Sequence, residues 1–201
     1  MPGFSSHMSD VEIWDLIQFL DALSEAEDAR SMTGGVEPWR FVVAPDFTFE
    51  LPGRAQESLN QQRGNYVTLI LYTVPQSLPR LHALVAKKQV LADAGVRVIA
   101  VPISTSATSV DTQTMKGNEP MFAIARPDVA TAYAMFARRT MDSQDAAPTH
   151  VEFLIDRQGY LRARWIGIPD AANDRMAEML GQVELLNQER ARASAVDGHA
   201  H

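Results

Sequence analysis

Apolar residues recur along this chain in two different rhythms. Near the start, Ile13, Leu16, Ile17, Leu20 and Leu23 stand three or four residues apart, with Trp14 and Phe19 widening the stripe, which is the spacing of one face of an α-helix. Ser9-Asp10-Val11-Glu12 just before it has the form of a capping box, in which the hydroxyl and the carboxylate take up free N–H groups of the first turn. The pattern predicts an amphipathic helix from about Ser9 to Ser24. Gly34-Gly35 and Pro38 then interrupt it, and residues 31–44 read as a linker.

From Phe47 the runs shorten. Phe47-Thr48-Phe49 alternates, and Tyr66 to Tyr72 is a nearly continuous β-branched and aromatic run, suited to a strand covered on both faces. Leu78, Leu81, Leu84, Val85 and Leu91 are helically spaced up to a stop at Gly95, and Val96 to Ile103 is a second apolar run. Strand, helix, strand in that order predicts a right-handed unit with parallel pairing. Residues 104–126 carry no period and read mostly as loop, and Pro127-Asp128 opens a short helix with Val129, Tyr133 and Phe136. Val151 to Ile155 and Tyr160 to Ile166 flank Asp156-Arg157-Gln158-Gly159, a hairpin signature. A last helix runs from Asp170 to about Arg192 through Met176, Met179, Leu180, Val183 and Leu186, leaving 193–201 as a flexible tail.

With 201 residues, 46% of them hydrophobic, the chain has material for one globular domain plus attachments. Its net charge of −7, with no basic cluster beyond Lys87-Lys88 and Arg138-Arg139, argues against nucleic acid as a partner. No apolar run reaches the ~20 residues of a membrane-spanning helix, and no basic-then-apolar export signal opens the chain. There is no cysteine. That removes disulfides, thiolate nucleophiles, Cys-ligated metals and covalent c-type haem together.

The order of elements resembles the thioredoxin superfamily: an α/β fold with a central mixed sheet flanked by helices, here over residues 45–192. Pro45-Asp46-Phe47-Thr48-Phe49, Leu59, Arg63-Gly64-Asn65 and the strand to Tyr72 look like the opening of the Sco, TlpA-like and peroxiredoxin branches, and Phe153-Leu154-Ile155-Asp156-Arg157-Gln158-Gly159 is similar to their hairpin. In those families two thiolates sit where the central strand meets its helix and gain from the helix dipole. Here the junction reads Thr73-Val74-Pro75-Gln76-Ser77-Leu78-Pro79, similar to the Sco pattern Cys-Pro-x-x-Cys-Pro with both prolines kept. Val74 and Leu78 occupy the two cysteine positions. The resemblance thus implies a degenerate site without thiol-based oxidoreductase or peroxidase activity. The Sco copper histidine aligns with Pro148, while His150 lies where related proteins place a proline facing the thiols. His82, four residues after Leu78, and His150 are the weak metal candidates, because two imidazoles without a carboxylate or thiolate partner are more often solvated or hydrogen-bonded than ligating.

A second resemblance covers the start of the chain. Met1-Pro2-Gly3-Phe4 and Ser9 to Leu20 look like the axial-methionine loop and last helix of a class I cytochrome c, which makes residues 1–30 a remnant of such a domain. Met1 would be a haem axial ligand only in an intact cytochrome domain. This chain, without Cys-x-x-Cys-His, is expected to hold no cofactor, copper included. Together the resemblances imply the C-terminal part of a CopD-like and cytochrome c fusion: a non-catalytic, periplasmic module whose partners are the fused domains or respiratory and copper proteins. The alternative is a copper metallochaperone or redox protein with a substituted site around His82, His150 and the Met115 to Met121 loop.

Overall fold

The computed structural model describes residues 28–29, 31–50, 55–103, 121–122, 124–125, 133, 136, 148–169 and 175–197. Met1, the predicted helix at 9–24, Met115 and the tail after 197 lie outside them. A six-stranded mixed sheet runs in the order β1 (Val42–Val43), β9 (Tyr160–Ile166), β8 (His150–Ile155), β4 (Tyr66–Tyr72), β5 (Val96–Pro102), β6 (Met121–Phe122). β4 pairs parallel with β5 and antiparallel with β8. A smaller sheet carries β2 (Thr48–Glu50) between β3 (Glu57–Ser58) and β7 (Ile124–Ala125). Three α-helices, α1 (Leu78–Ala86), α2 (Lys88–Asp93) and α3 (Arg175–Asp197), and a short 3-10 helix at Leu59–Gln62 complete the frame among the described residues.

Side chains alternate across β4, so one strand feeds two cores. Val67, Leu69 and Leu71 join Val151, Phe153 and Ile155 of β8 against Phe47, Phe49, Tyr133 and Phe136. Tyr66, Ile70 and Tyr72 join Leu154, Ala163 and Trp165 under Leu81 and Leu84 of α1, Leu91 of α2 and Met179, Val183 and Leu186 of α3. Every residue of β4 is buried, as its β-branched and aromatic run requires, and the one hydroxyl in it outside the tyrosines, that of Thr68, donates to the Met179 sulfur at 3.0 Å.

The parity of β9 carries an irregularity. Leu154 pairs with Ala163 but Ile155 pairs with Leu161, so Arg162 has no partner across the ladder. This β-bulge explains why Leu161 and Ala163, two residues apart, lie on opposite faces. Arg162 reaches Asp156 at 3.2 Å and Glu189 of α3 at 2.8 Å.

Four expectations change. Residues 31–44 are no linker: β1 pairs with Leu161 and Tyr160, Met32, Val42 and Ala44 are buried, and a Cβ on Gly34 would collide with the Trp165 indole. Gly34 is there for close approach. The helix expected over 78–91 breaks at Lys87 into α1 and α2. Within 104–126, two short strands form at 121–122 and 124–125. The final helix continues to Asp197, so the tail expected from 193 is helical for its first five positions.

One turn is strained. Arg40 N–H donates to the Glu37 carbonyl at 3.4 Å, which puts Pro38 second and Trp39 third in a β-turn. Trp39 has φ of +67°, where a type II turn ordinarily takes glycine. A bulky residue there costs on the order of 1 kcal/mol or more.

Candidate functional site

The junction between β4 and α1 is built from three elements. β8 lies antiparallel beside β4, with Tyr72 opposite His150 and Ile70 opposite Glu152. His150 and Glu152, two residues apart, therefore share the face of Ile70 and Tyr72, the face that α1 and α3 cover. Pro79 sits at the start of α1, where its missing N–H is no loss. One position on, Arg80 projects back onto β8.

A buried charge cluster results. Glu152 is fully buried and takes a bidentate contact from Arg80, Nε to Oε1 and Nη2 to Oε2, each at 2.8 Å. Arg175, the first residue of α3, reaches Oε1 at 3.4 Å and donates to the Gly167 carbonyl at 2.6 Å. His150, also fully buried, places Nε2 3.1 Å from Glu152 Oε1 and Nδ1 2.9 Å from Ser77 Oγ. A carboxylate only accepts, so Nε2–H donates to Glu152, and Nδ1 shares a hydrogen bond with the Ser77 hydroxyl. Ser77 Oγ in turn accepts from Thr73 N–H at 3.3 Å. Burial alone would raise the Glu152 pKa, but hydrogen bonds from His150 and Arg80 and the charges of both outweigh it and hold the carboxyl at about 2 against an ordinary 4.5.

The sequence Ser, His, acid has the polarity of a nucleophile relay. Its geometry is that of a structural tie. Ser77 is completely buried, so no substrate carbon reaches its oxygen while the first turn of α1 is in place. The cluster joins α1, β8 and α3 at one point. Breaking a buried pair of this kind by removing one partner costs about 3–5 kcal/mol.

Val74 and Leu78 are partly buried and pack on the helix-side core. The peptide between Val74 and Pro75 is cis. Both prolines are exposed, and the two positions present only aliphatic atoms.

The histidines part company. His150 has both ring nitrogens engaged within the fold, whereas His82 is exposed on α1. It stands two residues beyond Arg80, about 200° around the helix at ~100° per residue, so the helix that aims Arg80 inward aims His82 outward. Among the described residues no group of three or more His, Cys, Asp or Glu side chains is arranged to hold a metal. Sequence reasoning missed Glu152, Arg80, Arg175 and Ser77. One signal was available: a glutamate inside the otherwise apolar run from Val151 to Ile155 is a charge in a buried strand and calls for a cation.

No family profile matches the sequence, and no curated protein does either. Solved structures do. A thiol:disulfide interchange protein of the thioredoxin family from Chlorobium tepidum TLS superposes with a TM-score of 0.57 at 16% identity, over 73% of this chain and 99% of that one. The mitochondrial 2-Cys peroxiredoxin of Plasmodium falciparum gives 0.54 at 13% identity, over 74% and 94%. BsSco, a member of the Sco family of cytochrome c oxidase assembly proteins, gives 0.50 at 12% identity, over 74% and 97%. The fold is thioredoxin-like.

Proposed function

We propose that this chain is a thioredoxin-fold module that binds or scaffolds and does no redox chemistry of its own, acting in the periplasm within a longer exported protein connected with copper handling or respiratory cytochromes. One observation carries the reading. At the strand-to-helix junction, where interchange proteins of this fold hold their thiols, stand Val74 and Leu78, and the ground behind them is closed by the Ser77, His150, Glu152, Arg80 and Arg175 cluster. Likeness to an interchange protein and to a Sco family member supports the compartment and the biological setting.

Insulin-disulfide reduction and peroxide consumption by the pure protein should both equal the buffer blank, because no thiolate is available to attack either substrate. An anaerobic Cu(I) titration against a chromophoric chelator should likewise show no competition. Turnover in either assay, or stoichiometric copper capture, defeats the proposal.

A further inference from the structure

The geometry points to the outer edge of β1 as a strand-addition site for an extended, uncharged segment of another polypeptide with apolar residues at alternate positions. The inference goes beyond the function proposed above and does not depend on it, because this edge shares no residue with the junction at Val74 and Leu78.

The backbone register gives the first argument. Ala44 N–H donates to the Gly159 carbonyl at 3.0 Å, and Val42 and Val43 lie opposite Leu161 and Tyr160. In an antiparallel ladder, residues that exchange hydrogen bonds alternate with residues that do not. Residues 44 and 42 therefore turn their polar groups toward β9, and Val43 turns its N–H and C=O away from the sheet. By the same alternation so does Phe41. Among the described residues nothing meets these groups. β1 is the end strand of the six-stranded sheet, and an unpaired row of amides at a sheet edge is what an added strand binds.

The side chains give the second. Phe41 is 48% exposed, Val43 46% and Trp39 80%, and among the described residues nothing packs on Trp39 to reward its left-handed backbone. The Arg162 guanidinium carbon lies 4.5 Å from the centre of the Phe41 ring and Tyr160 meets that ring edge-on at 5.3 Å, so the ring is held in place while one face stays open. Leu185, 48% exposed, continues the strip on α3. It lies between Gln182, which accepts from Val36 N–H at 2.7 Å, and Glu189, which accepts from Arg162 at 2.8 Å.

Charge and area define the occupant. Arg40 is paired with Glu37 at 2.8 Å and with Asp28 at 3.8 Å, and Arg162 with Asp156 and Glu189, so the strip offers a charged partner nothing to neutralise. Taking ~150–250 Å² for an aromatic side chain, the exposed fractions leave an apolar strip on the order of 400 Å². That is about half the ~800 Å² per partner of a stable complex between two globular surfaces, and it suits one extended segment better than a second copy of this chain.

The test is a titration of the full ¹⁵N-labelled chain with the uncharged peptide acetyl-STVTVTVS-amide. Saturable shifts confined to residues 39–44 and the 182–189 stretch of α3 are expected. The same peptide N-methylated at alternate amides should bind at least ten-fold more weakly, since it cannot donate to the edge. Val43→Pro removes one outward N–H without touching the bonds to β9, a place where edge strands accept proline, and should also weaken binding ten-fold or more. Trp39→Gly relieves the turn, leaves the fold intact and should weaken binding several-fold. Absent or scattered shifts, or binding indifferent to N-methylation and to Val43→Pro, overturn the site. Concentration-dependent self-association that Val43→Pro abolishes overturns the choice of occupant.

Discussion

A carboxylate enclosed as deeply as Glu152 stays charged only because two guanidiniums and an imidazole converge on it, and the pH dependence of folding follows. Its carboxyl is held at about 2 in the folded protein against an ordinary 4.5. A depressed acid contributes stability that is complete above its unfolded value and fades as pH falls toward its folded one. The contribution is therefore whole above about 4.5 and lost toward about 2, and that separation corresponds to roughly 3 kcal/mol. Urea unfolding from pH 6 downward should show it. In Glu152→Gln this part of the profile should flatten, with a loss of about 3–5 kcal/mol at pH 7 because Arg80 and Arg175 are left without their counter-charge. A wild-type profile already flat between pH 5 and 2 would remove Glu152 from this role. Ser77→Ala is milder: His150 Nδ1 loses its hydrogen-bond partner, at a cost of about 1–3 kcal/mol. Little of this was legible in sequence. His150 stood out only as an imidazole of candidate interest, because its partners at 77, 80 and 175 come together solely through the topology.

Elements with a long period were readable and elements without one were not. The apolar run of Tyr66 to Tyr72 and the hairpin around Asp156-Arg157-Gln158-Gly159 appear where the pattern puts them. β1, with two residues, has too few for alternation to register, and Gly34-Gly35 has the same letters whether it loosens a linker or lets a backbone lie against an indole. The strand-to-helix junction supports a prediction of its own. If Val74 and Leu78 keep the spacing of a redox pair, the double variant Val74→Cys/Leu78→Cys should form an intramolecular disulfide on mild oxidation, as this needs Cβ atoms only ~4 Å apart. The cysteine-free background makes a loss of two mass units in the intact protein an unambiguous readout. Two persistent free thiols under glutathione buffer would separate the junction from the Sco-like pattern.

At the scale of the molecule, β4 and β8 are common property of both cores, so the two should fail together. Leu84→Ala in the helix-side core should cost about 2–5 kcal/mol and Phe153→Ala in the opposite core about 3–5 kcal/mol. Each should move one cooperative transition, and tryptophan fluorescence and far-ultraviolet dichroism should report the same midpoint. Two resolved steps in either variant would mean that the faces unfold independently. The irregularity in β9 reaches just as far. Because Arg162 alone lacks a partner across the ladder, cutting out that single codon leaves Leu161, Ala163, Arg164 and Trp165 in strict alternation, each on the face it already occupies. Excising Ala163 instead closes the ladder with Arg162 at the position that faces Leu154 in the helix-side core. The strand thus has one site where the gene can shorten by a codon without setting an arginine into the helix-side core: a chain lacking residue 162 should fold and lose only the contacts of that arginine, whereas one lacking residue 163 should collect as insoluble protein.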